Sequence, residues 1–244
     1  MNFCGLSISC LAHEKVVETL ENCSSTSILV TVNAEAVVRS QTDERLRRII
    51  NTNLASIDGQ IPLWMFKTIQ GHPRITKISG SDLIYSIPEY AESKSLRIFL
   101  LGGNEKSNLG AVQNLKKEFP KLKITGFSPE YHPYPFPDKI SQEIRERLLA
   151  FCPDIIFAGF GMGKQEYWAD DNSEFLNELG TKLVIGCGGS FDFASGKIKR
   201  APLLIQQIGL EGLWRLVNEF KWFRFKRLLL STRIFYYYFK YHLL

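Results

Sequence analysis

Cysteine is sparse in this sequence, and the five that occur are poorly placed for any joint task. Cys4, Cys10, Cys23, Cys152 and Cys187 form no CxxC pair and leave one over. Neither a disulfide framework nor a zinc site follows, and a reduced, cytosolic compartment is the natural expectation. The four histidines (His13, His72, His132, His242) are scattered and no Asp-x-Asp occurs. The residues therefore give no support to a metal-clamped diphosphate site, and no metal is expected. No stretch reaches the roughly 18 apolar residues of a membrane span. Met1 to Cys4 has neither a basic n-region nor the start of a long apolar run, so no signal peptide is expected. A Gly-x-Ser-x-Gly elbow, an internal repeat and a low-complexity segment are also missing.

Two nucleotide motifs are approached and missed. Gly159-Phe160-Gly161-Met162-Gly163-Lys164 has Ala158 and Gln165 where a Walker A loop needs Gly and Ser or Thr. A dinucleotide fingerprint would need glycine at Lys164, in the first βαβ unit, with an acid about twenty residues on. An ATPase and a dehydrogenase are thus set aside.

What is present is a chain of 244 residues, 45% hydrophobic and 23% charged, suited to one sizeable α/β domain with an appendage. Its net charge of +5 is uneven. From Arg215 to Leu244 there are seven Lys or Arg and one acid, so the basic character belongs to the tail. Strand and helix patterns alternate. Strands are expected at Ile28–Val30, Ala55–Ile57, Arg97–Leu101, Leu122–Thr125, Ile155–Ala158 and Leu183–Ile185, with one helix over Ala34–Asn53 and others between the strands. Gly71–Lys77 reads as a polar connection, and the proline-rich Ser128–Pro137 as a loop forming a rim or lid. Spacing suited to βα crossovers predicts a Rossmann-like α/β fold, a mostly parallel sheet with helices on both faces. Residues 1–200 form that domain, and 201–244 a basic, aromatic helical appendage read as helices over Leu203–Phe220 and Lys221–Tyr241.

Two apolar runs break into glycines that open helices, first at Gly159–Gly163 and then at Gly186-Cys187-Gly188-Gly189. Open α/β sheets build ligand crevices at such carboxyl ends. One cluster alone is a tight turn, whereas two at corresponding strand ends favour a phosphate-bearing ligand. Asp58 ends a strand and is followed by Gly59, which lets a ligand approach, so its carboxylate suits a general base. A helix cap or turn is the alternative role, for Asp58 as for Thr31 and Asn33.

In order along nearly the whole chain, Thr31-Val32-Asn33, Asp58-Gly59, Ile78–Leu83, Phe99–Gly103, Pro153-Asp154-Ile155, Gly159–Glu166, Gly186–Asp192, Gly196-Lys197, Lys199–Pro202 and Gly209-Leu210-Glu211 resemble the bacterial WecG/TagA/CpsF glycosyltransferases. The resemblance implies an inverting, metal-independent enzyme. It would transfer a sugar (N-acetylmannosamine, its uronic acid or another hexose or hexuronate) from a UDP donor to a polyprenyl-diphosphate-linked saccharide at the inner membrane face. UDP-sugar is then a substrate and no cofactor is implied. Asp58 matches the base, with Thr31 and Asn33 in the acceptor and donor pocket. The implied substrate-binding set is Gly59, Lys77, Gly102, Gly103, Gly161, Lys164, Gln165, Gly188, Gly189, Asp192 and Arg215, with Gln165 and the glycine turns on the nucleotide side. Lys77 stands where the family has Arg, Gly163 where it has Pro, and Phe220 replaces a tail Pro. Trp222 and Phe225 take the places of arginines, with Lys221 and Arg224 one residue earlier.

The tail also has a physical reading of its own. Aromatics interleaved with Lys221, Arg224, Lys226, Arg227, Arg233 and Lys240 suit a helix lying on an anionic bilayer, at about 1 kcal/mol per cation. The expected location is cytoplasmic, peripheral to the inner membrane. An oligomer contact is the alternative use of the tail, and no motif accompanies it that would point to nucleic acid. The competing function is a nucleotide-responsive binding module that docks a partner through this tail.

Overall fold

The computed structural model describes residues 1–70, 75–208, 210–218 and 222–242. In chain order its elements are β1 (Asn2–Phe3), β2 (Leu6–Ser7), α1 (His13–Asn22), β3 (Ser27–Val32), α2 (Ala34–Arg39), α3 (Glu44–Thr52), β4 (Leu54–Ile57) and α4 (Gln60–Gln70). Next come α5 (Gly80–Ser93), β5 (Arg97–Gly102), α6 (Glu105–Glu118), β6 (Lys123–Phe127), α7 (Asp138–Phe151), β7 (Ile155–Gly159), α8 (Lys164–Asp171) and α9 (Ser173–Glu178). The chain continues through β8 (Leu183–Gly186), α10 (Ser190–Ala194), α11 (Leu203–Gln207), α12 (Glu211–Asn218), α13 (Trp222–Ser231) and α14 (Ile234–His242). Six strands form a parallel sheet in the order β4-β3-β8-β7-β5-β6, as the alternating pattern predicts. Packing divides the chain into two compact units. Unit 1 is Met1–Lys15, Thr31–Ser79 and Arg200–Leu244, and unit 2 is Val16–Val30 and Gly80–Lys199.

Unit 2 is built on strands whose side chains are buried on both faces, the usual state of a parallel sheet covered by helices. Phe99, Leu100, Ile156, Phe157 and Ile185 are at most 2% exposed. Helices contribute residues at helical spacing, such as Ala111 and Leu115 of α6 and Ile144 and Leu148 of α7. Register is pinned by polar groups at the strand entrances. Asp154 Oδ2 accepts from Arg97 N at 2.7 Å, and the Thr181 hydroxyl donates to Pro153 O at 2.9 Å. Ser128–Pro137 contains no helix or strand, as its prolines predict.

Unit 1 contains an element absent from the sequence reading. β1 and β2 form a two-stranded antiparallel ribbon, closed by Cys4 and Gly5 with φ of 51° and 80°. Two positive φ angles in a two-residue loop match the twist of the strands they join. Burial pushes the Cys10 thiol up to about 11 and that of Cys4 up to about 12, so both stay protonated at neutral pH. The single helix expected over Ala34–Asn53 is two helices, α2 and α3. Asp43 stops the first from running on: its side chain accepts from Leu46 N at 2.9 Å and caps α3. Arg47 then takes the freed carbonyls of Ser40 at 2.8 Å and Gln41 at 3.0 Å. Among the described residues the two long tail helices are four short ones. Between α13 and α14 the hydroxyls of Ser231 and Thr232 donate to the carbonyls of Arg227 and Leu229 at 2.8 and 2.7 Å, consuming the last turn of α13. Residues 71–74 of the expected polar connection, Gly209 and residues 219–221 lie outside the described residues. Among the described residues no helix is long and apolar enough to cross a membrane.

Polar contacts join the tail to the rest of unit 1, and Ile234 of α14 is buried at 1% exposure. Glu35 on α2 is 3% exposed and its carboxylate receives two arginines. Arg39 reaches Oε1 at 2.7 Å, and Arg227 of α13 sets both Nε, at 2.6 Å, and Nη2 on Oε2. Tyr241 donates to Gln41 Oε1 at 3.0 Å, and Cys4 N donates to His242 Nε2 at 2.9 Å. The outward face is apolar: Trp222, Leu229, Tyr236 and Phe239 are 60%, 62%, 63% and 54% exposed.

Replacing Arg227 by Met removes one of two cations from a buried carboxylate. It should destabilise unit 1 by about 1–2 kcal/mol, because half of the ion pair is solvent-screened. Limited proteolysis should then cut the tail faster than in wild type. The contact at His242 needs the neutral ring, since Nε2 accepts a proton, and burial lowers its pKa below the ordinary 6.5. A depressed folded pKa means that this contribution is whole above 6.5 and is lost as pH falls through the folded value. The protection factor of the Cys4 amide against hydrogen exchange should therefore fall as pH is lowered from above 6.5 through the folded pKa. In His242→Gln, which accepts without titrating, this pH dependence should flatten.

Candidate active site

Unit 1 gathers the residues expected around the base. Thr31 is 4% exposed near the end of β3. Asn33 follows it and caps α2, its Oδ1 accepting from Ala36 N at 3.0 Å. Asp58 joins them through the backbone, donating its N–H to Val32 O at 2.9 Å. Its side chain is half-buried. Gly59, at φ 91°, turns the chain sharply into α4, a conformation that a side chain would strain. The segment after residue 74 runs beside β4, with Ile78 N on Ile57 O at 2.9 Å and the Ser56 hydroxyl on Ile78 O at 2.9 Å. Lys77 is thereby carried to the strand end that presents Asp58. Thr31, Asn33, Asp58, Gly59 and Lys77 thus meet at the carboxyl ends of β3 and β4. Arg215 belongs to α12, and its side chain lies outside the described residues.

Two residues beyond Asp58, α4 opens one wall of an apolar groove. A cavity of about 320 Å³ is lined by Gln60, Ile61, Trp64, Gln207, Ile208 and Phe235. Trp64 is 62% exposed there. Sequence reading missed this groove because its walls come from three helices far apart in the chain.

Unit 2 holds the remaining expected residues. Strand register places Gly102 beside Gly159 and Ala158 beside Gly186, so three strands end in glycine in one row. The glycines are not equivalent. A Cβ at Gly102 would lie 2.7 Å from the Phe160 ring, and one at Gly103 2.7 Å from Phe191. Those two are small because aromatic rings pack on them. Gly161 and Gly188 have open space where a Cβ would stand, and they form the accessible wall. Gly189 precedes α10, whose Asp192 accepts from the Ser107 hydroxyl at 2.7 Å and lies 3.9 Å from Lys197 Nζ.

Gln165 lies beneath these turns and is 2% exposed. Its Oε1 accepts from both Gly161 N and Gly188 N at 3.1 Å, tying one turn to the other. Lys164 faces outward, its ammonium 3.1 Å from His132 O and 4.3 Å from the Tyr131 ring centroid. The proline-rich loop therefore sits on the first glycine turn, and Phe136 packs on Phe160 at 4.9 Å between centroids. Among the described residues no group of three or more His, Cys, Asp or Glu is placed to hold a metal ion.

Chemically, unit 1 presents a carboxylate with hydroxyl, amide and ammonium neighbours, and unit 2 presents a glycine-walled surface fixed from below. Over residues 1–243 the chain matches the model of the glycosyl transferase WecG/TagA/CpsF family. It is 27% identical over 199 residues to the N-acetylglucosaminyldiphosphoundecaprenol N-acetyl-beta-D-mannosaminyltransferase of Bacillus spizizenii, covering 81% of this chain and 74% of that protein. The proteins of the same name from Bacillus subtilis and Staphylococcus aureus are 28% and 26% identical, over 81% and 79% of this chain and 74% and 72% of theirs. A match over nearly every residue, with the family's motifs at the strand ends, makes this chain a member of the WecG/TagA/CpsF family of glycosyl transferases.

Proposed function

We propose that the enzyme is an inverting transferase that moves a sugar from a UDP donor to a polyprenyl-diphosphate-linked saccharide, with Asp58 as general base. The observation that carries this reading is the placement of Asp58: a half-buried carboxylate at a strand end, held by its own N–H on Val32 and followed by a glycine. In the reaction, Asp58 takes the proton of an acceptor hydroxyl. The oxygen forms a bond to the anomeric carbon as the bond from that carbon to the UDP oxygen breaks on the opposite face. Backbone N–H groups and cationic side chains suit the charge that develops on UDP. The absence of any Asp-x-Asp from the sequence supports a transfer that needs no metal. Thr31, Asn33 and Lys77 are assigned to substrate binding beside the base, and the open glycines Gly161 and Gly188 to the nucleotide side.

The relatives' names make N-acetylmannosamine the first donor to test and N-acetylglucosaminyl-diphosphoundecaprenol the first acceptor. A lipid-borne acceptor also gives the apolar groove a use. The groove begins two residues beyond Asp58, and the first isoprene units would lie along Ile61, Trp64, Ile208 and Phe235. The outward apolar residues of the tail favour attachment to the cytoplasmic face of the membrane, because exposed apolar patches of this kind mark interaction surfaces.

Asp58→Asn should lower turnover by about 100- to 10,000-fold, the range for a positioned base, while UDP binding by calorimetry changes little. Near-normal turnover would remove Asp58 from the mechanism. Joint replacement of Trp222, Leu229 and Phe239 by Glu should abolish sedimentation with anionic vesicles and leave the melting temperature within a few degrees of wild type. Unaltered vesicle binding would rule out this face as the attachment surface.

A further inference from the structure

We infer that Glu166 is a positioning residue for donor binding, and that Gln165 acts on the donor only through the two glycine turns. The two side chains are 1% and 2% exposed. They form a continuous polar chain: Gly163 N donates to Glu166 Oε2 at 2.7 Å, and Gln165 Nε2 donates to Glu166 Oε1 at 2.9 Å. Gln165 Oε1 then accepts from Gly161 N and Gly188 N, each at 3.1 Å. An amide oxygen has two lone pairs, and both are used here. Gln165 therefore has no acceptor to spare for a sugar or a phosphate.

The carboxylate decides which way the amide faces. Glu166 only accepts, so it selects the NH2 end of Gln165 and turns the oxygen toward the two glycine N–H groups. The reversed amide would set oxygen against carboxylate and NH2 against two N–H groups. Glycine at 186 leaves room for the pair, because a Cβ there would stand 2.6 Å from Gln165 Nε2 and 3.0 Å from Glu166 Oε1. Gly161 and Gly188, bonded inward by their nitrogens, present their open Cα faces outward. Any shift of the buried pair moves that outer wall. A site set by a network acts as a unit, and half of a satisfied network is worse than none.

This inference rests on the proposal that the turns face the donor nucleotide, and the experiment separates the two ideas. Three variants are compared with wild type: Glu166→Gln, Gln165→Glu and the double exchange Q165E/E166Q. The exchange keeps the four bonds named above. The carboxylate at 165 accepts from Gly161 N, Gly188 N and the new amide, whose oxygen accepts from Gly163 N. Gln165→Glu instead sets two carboxylates side by side. Each single variant should raise KM for UDP-sugar on the order of ten- to a hundred-fold with a smaller change in kcat, and should speed amide exchange at Gly161 and Gly188. The double exchange should recover at least about ten-fold of the KM lost in Gln165→Glu and restore amide protection. A residue that touched the donor through its own NH2 would not be rescued. A double variant that fails to fold, or folds with KM as high as Gln165→Glu, overturns the inference. If wild type neither binds nor turns over UDP-sugars, the donor proposal fails, and amide exchange at the two glycines still measures the buried pair.

Discussion

A strand that ends inside a protein leaves N–H groups without a ladder partner, and burying one unbonded costs about 1–3 kcal/mol. The candidate site is shaped by how that cost is avoided. In unit 2 three such groups, on Gly161, Gly163 and Gly188, are collected by a single buried pair of side chains. In unit 1 Asp58 gives its N–H to the neighbouring strand, and Asn33 spends its oxygen capping α2. That cap takes one of the two lone pairs of the Asn33 oxygen. The polar groups at these strand ends thus have a structural duty first, and that duty fixes which of their atoms chemistry can use.

The tail shows the same economy with the polarity reversed. Its inward contacts include ionic and hydrogen-bonded ones, through Arg227, Tyr241 and His242. Its outward residues include Trp222, Leu229 and Phe239. An ordinary surface helix buries its apolar stripe and wets its polar one. Here a segment dense in cations uses one of them, Arg227, internally on Glu35. That cation is withdrawn from the set the sequence offers to an anionic surface.

Much of this was legible in the sequence. The strands announced themselves as apolar runs, three of them ending in glycine, and all six expected strands are present in a parallel sheet. Asp58, Thr31 and Asn33 could be named because they end strands, and strand ends are where open sheets place their chemistry. Helix boundaries were less legible. Nothing in Val37, Val38, Leu46, Ile49 and Ile50 alone separates one helix from two. The break comes from Asp43 competing for backbone N–H groups and from Arg47 reaching back, which are tertiary outcomes of short polar residues. The Cys4-Gly5 turn was signalled only by its glycine. Gln165 was expected on the nucleotide side by its motif, yet its burial and the role of Glu166 needed coordinates. Glu166 did carry one mark, an acid three residues after a turn glycine, in the pattern of a capping box.

The bond from Cys4 N to His242 Nε2 spans 238 residues, nearly the whole described chain. Until α14 is in place, the Cys4 N–H lacks this acceptor and the Phe3 ring lacks the imidazole stacked on it at 6.3 Å. Contacts of such long sequence separation close late and slow folding. Completion of the amino-terminal ribbon therefore waits on the docking of α14, so an early strand pair and a late helix become one folding event.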